Sequence, residues 1–159
     1  MHIMKQVLIS PYAQAMRNGK ENPKNFPYWT ELVSLLVNSN IKVIQIGASK
    51  DKPIPGITEF KQNLKLKEIR NLISECDTWI SVDSFLQHMN HNYERKQGVV
   101  IFSQSNPDIF GYKENVNLLK HKKYLREKQF WLWEQCEHNK DAFVSADTVR
   151  DAVIKVLGM

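Results

Sequence analysis

No apolar run in these 159 residues approaches the ~20 that a membrane-spanning helix requires, so no such helix is expected. The opening segment Met1-His2-Ile3-Met4-Lys5-Gln6-Val7 has no charged stretch followed by a long apolar one, so a secretory leader is not expected. Cysteine is scarce. Cys76 and Cys136 stand far apart and at no metal-type spacing, and they are read as reduced thiols of a cytoplasmic protein. A G-x-S-x-G elbow is missing, and so is an acidic D-x-D pair in any loop that could build a site. The first absence argues against a serine-hydrolase triad, the second against a metal-dependent diphosphate site. No internal repeat or low-complexity linker interrupts the chain, which is read as one domain over residues 1–159.

What is present is ordinary globular composition, with 42% hydrophobic and 25% charged residues, and not that of a disordered chain. The net charge of +5 and a pI near 9.2 suit an anionic ligand without choosing among nucleotide diphosphates, nucleic acid and acidic glycans.

Short apolar runs alternate with helical periods. Lys5–Ser10, Ile41–Gly47, Thr78–Val82 and Gly98–Phe102 read as buried strands, with weaker short ones at Ile57–Phe60 and Val116–Leu119. Helical spacing runs through Pro27–Val37 and Leu66–Cys76, and a further helix should follow Asp83. Two tail helices are expected, at about 124–136 and 146–157, the first using its apolar residues to pack on the sheet. This alternation predicts an α/β fold of Rossmann-like type, a parallel sheet with helices on both faces and right-handed crossovers.

Ligands of such sheets bind outside the carboxyl ends of the strands. That rule selects the loops after Ser10, Gly47, Val82 and Phe102, and the turn Val82-Asp83-Ser84 most of all. There a buried strand passes directly into a helix, whose free N–H groups and dipole attract an anion such as a phosphate. Asp83 or Ser84 capping the helix is the plainer alternative. His88 follows one turn after Ser84 on the same face. The loop Tyr12–Phe26 is long for a strand-to-helix connection, and its Arg17 and Lys20 are well placed for a ligand phosphate, though an ordinary mobile loop would look the same.

Ile80-Ser81-Val82-Asp83-Ser84-Phe85-Leu86-Gln87-His88 resembles the signature of family 9 (heptosyltransferase-like) glycosyltransferases, in which Asp-Ser/Thr-Gly-Pro precedes a His five residues after the Asp. Four further pieces lie in that family's order. Lys24-Asn25-Phe26-Pro27-Tyr28-Trp29 resembles its Lys–Trp–Pro approach to the first helix. Gln45-Ile46-Gly47 resembles the strand-to-glycine step, and Leu64–Ile69 a helix start. Val99–Pro107 resembles the strand and G-x-T/S-x-P loop after the signature. The resemblance implies a single GT-B C-terminal domain holding a nucleotide-diphosphate sugar. It places Asp83, Ser84 and His88 at the diphosphate, Lys24 as its neutraliser and the loop after Gly47 beside the nucleoside. Ser10 and Ser103, at two further strand ends, complete the expected substrate-binding set. Neither a metal nor a cofactor is implied, because helix dipole and cationic side chains stabilise the leaving diphosphate.

Two departures stand out. Phe85-Leu86 replaces the family's Gly-Pro, putting a bulky side chain where glycine lets backbone approach a phosphate. The family's N-terminal half, which brings acceptor contacts and the catalytic base, also has no counterpart in this length. Transfer is therefore expected to need a partner chain or a second copy, and no catalytic residue is assigned. Asp51 and Asp108 are the candidate acids in the loops after Gly47 and Phe102.

A metal site at His88 and His91 lacks a third ligand with suitable spacing. The basic run Lys120–Lys128 reads either as a solvated helix start or as a docking surface for nucleic acid or an acidic partner. A non-catalytic nucleotide or nucleotide-sugar binder is the alternative function, and a nucleic-acid-associated protein a weaker one.

Overall fold

The computed structural model describes residues 3–159; Met1 and His2 of the opening segment lie outside the described residues. Six strands form one all-parallel sheet: β1 (Lys5–Ser10), β2 (Ile41–Gly47), β3 (Glu59–Gln62), β4 (Thr78–Val82), β5 (Val99–Phe102) and β6 (Val116–Leu119). Five helices join and flank them: α1 (Trp29–Asn38), α2 (Leu66–Glu75), α3 (Phe85–Asn92), the short α4 (Pro107–Phe110) and α5 (Ala146–Leu157). The sheet order is β3-β2-β1-β4-β5-β6.

Alternation of side chains across each strand divides the core in two. Val7, Ile9, Ile80, Val82, Val99 and Ile101 point to one face, where they meet Leu32, Val33 and Leu36 of α1 and Val149 and Val153 of α5. Leu8, Trp79, Val100 and Phe102 point to the other, against Ile69, Leu72 and Ile73 of α2 and Leu86 of α3. Helices therefore cover both faces, and the inner strands, largely buried on both, read as apolar runs, whereas the edge strands β3 and β6 are only partly buried.

Just before β5 the Trp79 indole packs closely on the backbone of Gly98. A Cβ placed on Gly98 would lie 2.0 Å from Cε2 of Trp79, whose indole is fully buried and donates through Nε1 to the Lys96 carbonyl at 3.0 Å.

Two expectations need correction. The third strand begins two residues later than its apolar cluster suggests, at Glu59, because Thr58 caps the end of the pairing through its own hydroxyl, accepting from Val43 N–H at 3.1 Å. The helix expected at 124–136 does not form. Only single 3-10 turns occur, at Lys122–Tyr124 and Trp133–Gln135, and Leu132 sits in the left-handed region at φ 64°. The physical reason is local competition. The backbone N–H of Arg126 donates to the Gln104 carbonyl, 3.0 Å away, and the buried Gln129 amide bonds Asn106 N–H, Gln104 O and Arg126 O at 2.8, 3.0 and 2.6 Å. Four consecutive apolar residues, Phe130–Trp133, also point all round a helix instead of along one face. Phe130 and Trp131 consequently do not pack on the sheet; they are 66% and 63% exposed.

The segment 120–145 instead forms a strap across the carboxyl edge of the sheet. It is tied to the first loop by Asn18 Nδ2 on Glu134 O (3.1 Å), Lys20 on Glu137 (3.2 Å) and His138 Nε2 with Asn25 O (2.8 Å). It is tied to the loop after β5 by Gln104 Nε2 on Glu137 O at 2.9 Å.

Candidate functional site

Strands β1 and β4 are neighbours in register, with Ser10 opposite Ser81. From β1 the chain runs to β2 and β3 on one side; from β4 it runs to β5 and β6 on the other. The loops leaving their carboxyl ends therefore diverge and open a crevice, the place where parallel sheets of this order bind ligands.

Asp83 is the first residue beyond β4 and lies in this crevice, 5% exposed. A buried carboxylate requires partners, and it has two. Lys24 Nζ stands 3.2 Å from Oδ2, and Gln87 Nε2 donates to Oδ1 at 2.6 Å. Lys24 reaches this point because the first loop folds back on itself. Asparagine side chains do the folding: Asn25 Oδ1 accepts from Ala13 N–H at 2.9 Å, Asn22 Oδ1 from Lys24 N–H at 2.9 Å, and Asn18 Oδ1 from Lys20 N–H at 3.0 Å. The loop's polar composition is thus its own scaffold. Over the same ammonium lies the ring of Trp133, 4.8 Å from Nζ to centroid, with Arg126 4.4 Å from that ring.

Ser84 is the N-cap of α3, yet its side chain does not cap the helix; Oγ donates to the Val82 carbonyl at 3.3 Å. Asp83 is committed to Lys24 and Gln87. The capping alternative is therefore not realised by either residue, and the first-turn N–H groups of α3 keep no side-chain acceptor. Phe85, in place of the glycine, is half-exposed, whereas Leu86 is fully buried against α2.

His88 is exposed one turn along α3, its Nδ1 paired with the Tyr112 hydroxyl at 2.7 Å. His91 stacks on the same tyrosine ring at 3.9 Å and meets Glu114 Oε1 at 2.5 Å. Burial, the largest single influence, opposes ionisation of Glu114, but the His91 hydrogen bond, a backbone hydrogen bond and the charges of His91 and Arg95 together hold the carboxyl below its ordinary range. Tyr112 is shifted the other way, raised first by burial and then by Glu114 and Asp83. The two imidazoles share the Tyr112 ring but hydrogen-bond different groups, the Tyr112 hydroxyl and the Glu114 carboxylate. Among the described residues no group of three or more His, Cys, Asp or Glu side chains comes together.

The other expected residues divide. Ser10 and Ser103 are buried at the strand ends, Ser103 Oγ donating to Pro23 O at 3.4 Å. Gly47 ends β2, and the loop after it walls a different groove of about 360 Å³ with Lys50, Asp51 and Lys52, together with Tyr12 and Asn25 of the first loop. Glycine is needed there, since a Cβ would come 2.9 Å from Asp51 Oδ2, which accepts from Ala48 N–H at 2.7 Å. Buried Gln45 stiffens the same loop, bonding Lys52 O at 2.9 Å and Ile54 N–H at 2.7 Å. Lys20 lines this groove but spends its charge on Glu137, and Arg17 is exposed outside the lining. A larger groove of about 820 Å³ runs between the starts of α1 and α5, lined by Glu31 and Asp147 and also by Lys120.

Three residues of the site escaped sequence reading. Gln87 carries a signal, four residues after Asp83 on the same helical face. Trp133 and Tyr112 carry none, because they arrive from distant segments.

Neither a known family description nor a curated protein matches this sequence. Solved structures do. The fold is similar to the crystal structure of the glycosyl transferase family 9 protein from Veillonella parvula DSM 2008, with TM-score 0.73 and 15% identity, over 96% of this chain and 46% of that one. It is also similar to TibC of enterotoxigenic E. coli H10407, a bacterial iron-containing dodecameric glycosyltransferase, with TM-score 0.70 and 15% identity, over 98% of this chain and 45% of that one. The chain thus has the fold of a family 9-like glycosyltransferase domain and spans less than half the length of either neighbour. The iron is a property of TibC; the described residues here offer no cluster to hold one.

Proposed function

We propose that this chain is the donor-binding half of a glycosyltransferase, holding the diphosphate of a nucleotide-diphosphate sugar between the ends of β1 and β4. The observation that carries the reading is Lys24, delivered by the first loop to 3.2 Å from Asp83 beside the uncapped start of α3. An ammonium has three donors and Asp83 takes one, so the others and the helix N–H groups are available to phosphate oxygens. His88 contributes Nε2, its Nδ1 being engaged by Tyr112. The groove walled by the loop after Gly47 would take the nucleoside.

A thermal-shift screen of nucleoside diphosphates and their sugars tests this. A ligand at 100 times its dissociation constant adds about 2.7 kcal/mol, roughly 5–10 °C for a domain of this size. The shift should survive a chelator. If no nucleotide raises the melting temperature, or the shift vanishes in chelator and returns with magnesium, the reading is wrong.

Transfer needs more than this half. A general base must stand about 3 Å from the proton that it takes. Of the two acids flagged by sequence, Asp51 is used to hold its own loop, and Asp108 lies exposed on the first turn of α4. We propose that the base comes from an opposing half, in a partner chain or a second copy; the dodecameric state of TibC supports self-association as one route. The expected result is nucleotide binding without measurable sugar transfer by a monomer, its state established by sedimentation. Robust monomer turnover, abolished by Asp108→Asn or Asp51→Asn, would overturn it.

A further inference from the structure

Apart from Arg126, which lies on the Trp133 ring, the basic run has no place in the site described above. Residues 120–128 carry five lysines and arginines against the single acid Glu127, a local excess of four charges in a chain whose whole excess is five. The described residues form ion pairs elsewhere, at Lys5, Lys20, Lys24, Lys42, Lys61, Arg70 and Arg150, but no carboxylate pairs with any cation of the run. Lys122, Lys123 and Lys128 are exposed. Immediately after the run come Phe130 and Trp131, about two-thirds exposed, with rings 6.3 Å apart. Phe130 also meets Phe110 at 5.6 Å, next to the half-exposed Ile109. An apolar knob therefore stands beside unneutralised positive charge.

We infer that this strap docks the protein on an anionic lipid surface, with Lys120, Lys122, Lys123 and Lys128 on the headgroups and Phe130 and Trp131 inserted at the interface. Lysines near such a surface and aromatic side chains at the headgroup level are the two components of reversible peripheral binding. The same charges would attract nucleic acid, but single-stranded recognition needs aromatic faces free to stack on bases among the cations. The aromatic inside the run is Tyr124, and its ring is already covered by the ammonium groups of Lys120 and Lys123 at 5.6 and 5.1 Å. The free rings belong instead to an apolar cluster, which suits a bilayer. This inference is independent of the nucleotide-sugar reading.

The test is co-sedimentation of the whole chain with vesicles of pure phosphatidylcholine or of phosphatidylcholine with about one-third phosphatidylglycerol. Binding should appear on the acidic vesicles alone at low salt and fall steeply on raising the salt. Each lysine lost should weaken it about fivefold, so the triple change Lys120→Gln, Lys122→Gln, Lys123→Gln should cost roughly a hundredfold. Brominated acyl chains should quench tryptophan emission, and Trp131→Phe should remove that quenching. Because salt dependence and quenching are read on the unaltered protein, poor folding of a variant cannot decide the outcome. Three results would overturn the inference: no binding to acidic vesicles, unchanged binding by the triple variant, or salt-sensitive binding to single-stranded RNA with none to vesicles.

Discussion

Gly98→Ala should be the most damaging single methyl group that can be added to this protein. The new carbon would stand 2.0–2.5 Å from three atoms of the Trp79 indole, far inside van der Waals contact. Neither side can give way cheaply. Trp79 is fully buried on β4 and tied to Lys96 O, and Gly98 is held by its N–H on the Asn115 side chain at 3.2 Å and its carbonyl on Val116 N–H at 2.9 Å, at the foot of β5 and β6. Overpacking ordinarily costs 1–3 kcal/mol; with an unyielding ring we expect about 3 kcal/mol or more. At roughly 2–4 °C per kcal/mol the melting temperature should drop by about 10 °C. Trp79→Leu also destabilises, by opening a cavity, but it removes the obstacle. The double variant should therefore be more stable than the sum of the two losses allows, by more than about 1 kcal/mol. A Gly98→Ala protein melting within a degree of the parent would refute the packing described here.

The second large effect concerns Lys24. Lys24→Met leaves Asp83 buried with Gln87 as its only partner, and losing one member of a fully buried pair costs 3–5 kcal/mol. Lys24 is 23% exposed, so water screens part of this and about 1–3 kcal/mol is expected. Binding of a nucleoside diphosphate should weaken further, by about 10- to 100-fold, the worth of one charge-assisted hydrogen bond. Adding Asp83→Asn to Lys24→Met separates the two consequences. The neutral side chain no longer needs a cation, so stability should largely return while affinity stays low. Undiminished nucleotide affinity in Lys24→Met would remove the central support for the donor site.

The fold was legible because a parallel sheet covered on both faces demands uninterrupted apolar strands, and β1, β2 and β4 carry them at the expected boundaries. The turn at Asp83-Ser84 was legible for the same reason: a buried strand that ends at a polar pair must hand over to a helix. Lys24 and Asp83, named separately from sequence, prove to be partners. The strap was illegible. Its course is set by bonds between residues far apart in sequence, such as Asn25 with His138, and by the buried amide of Gln129. Its aromatics read as core because composition alone cannot say that a ring stays in water. Lys20, expected near a ligand phosphate, lies 3.2 Å from Glu137 of that same strap, a pairing that sequence spacing could not reveal.

The strap has a kinetic meaning as well as a spatial one. Phe143 and Val144 at its far end belong to the apolar layer that holds Phe26, but residues 120–140 meet the first loop through polar contacts and the Trp133 ring over Lys24, and none of these residues belongs to either layer. Its opening therefore has a free energy of its own, below that of global unfolding, and forms a separate cooperative unit. Amide protons of residues 120–140 should then exchange with solvent while those of β1 and β4 remain protected. The loop that carries Lys24 shares that fate at its strap-facing residues, so the crevice beside Asp83 is uncovered by a local event that leaves the sheet intact.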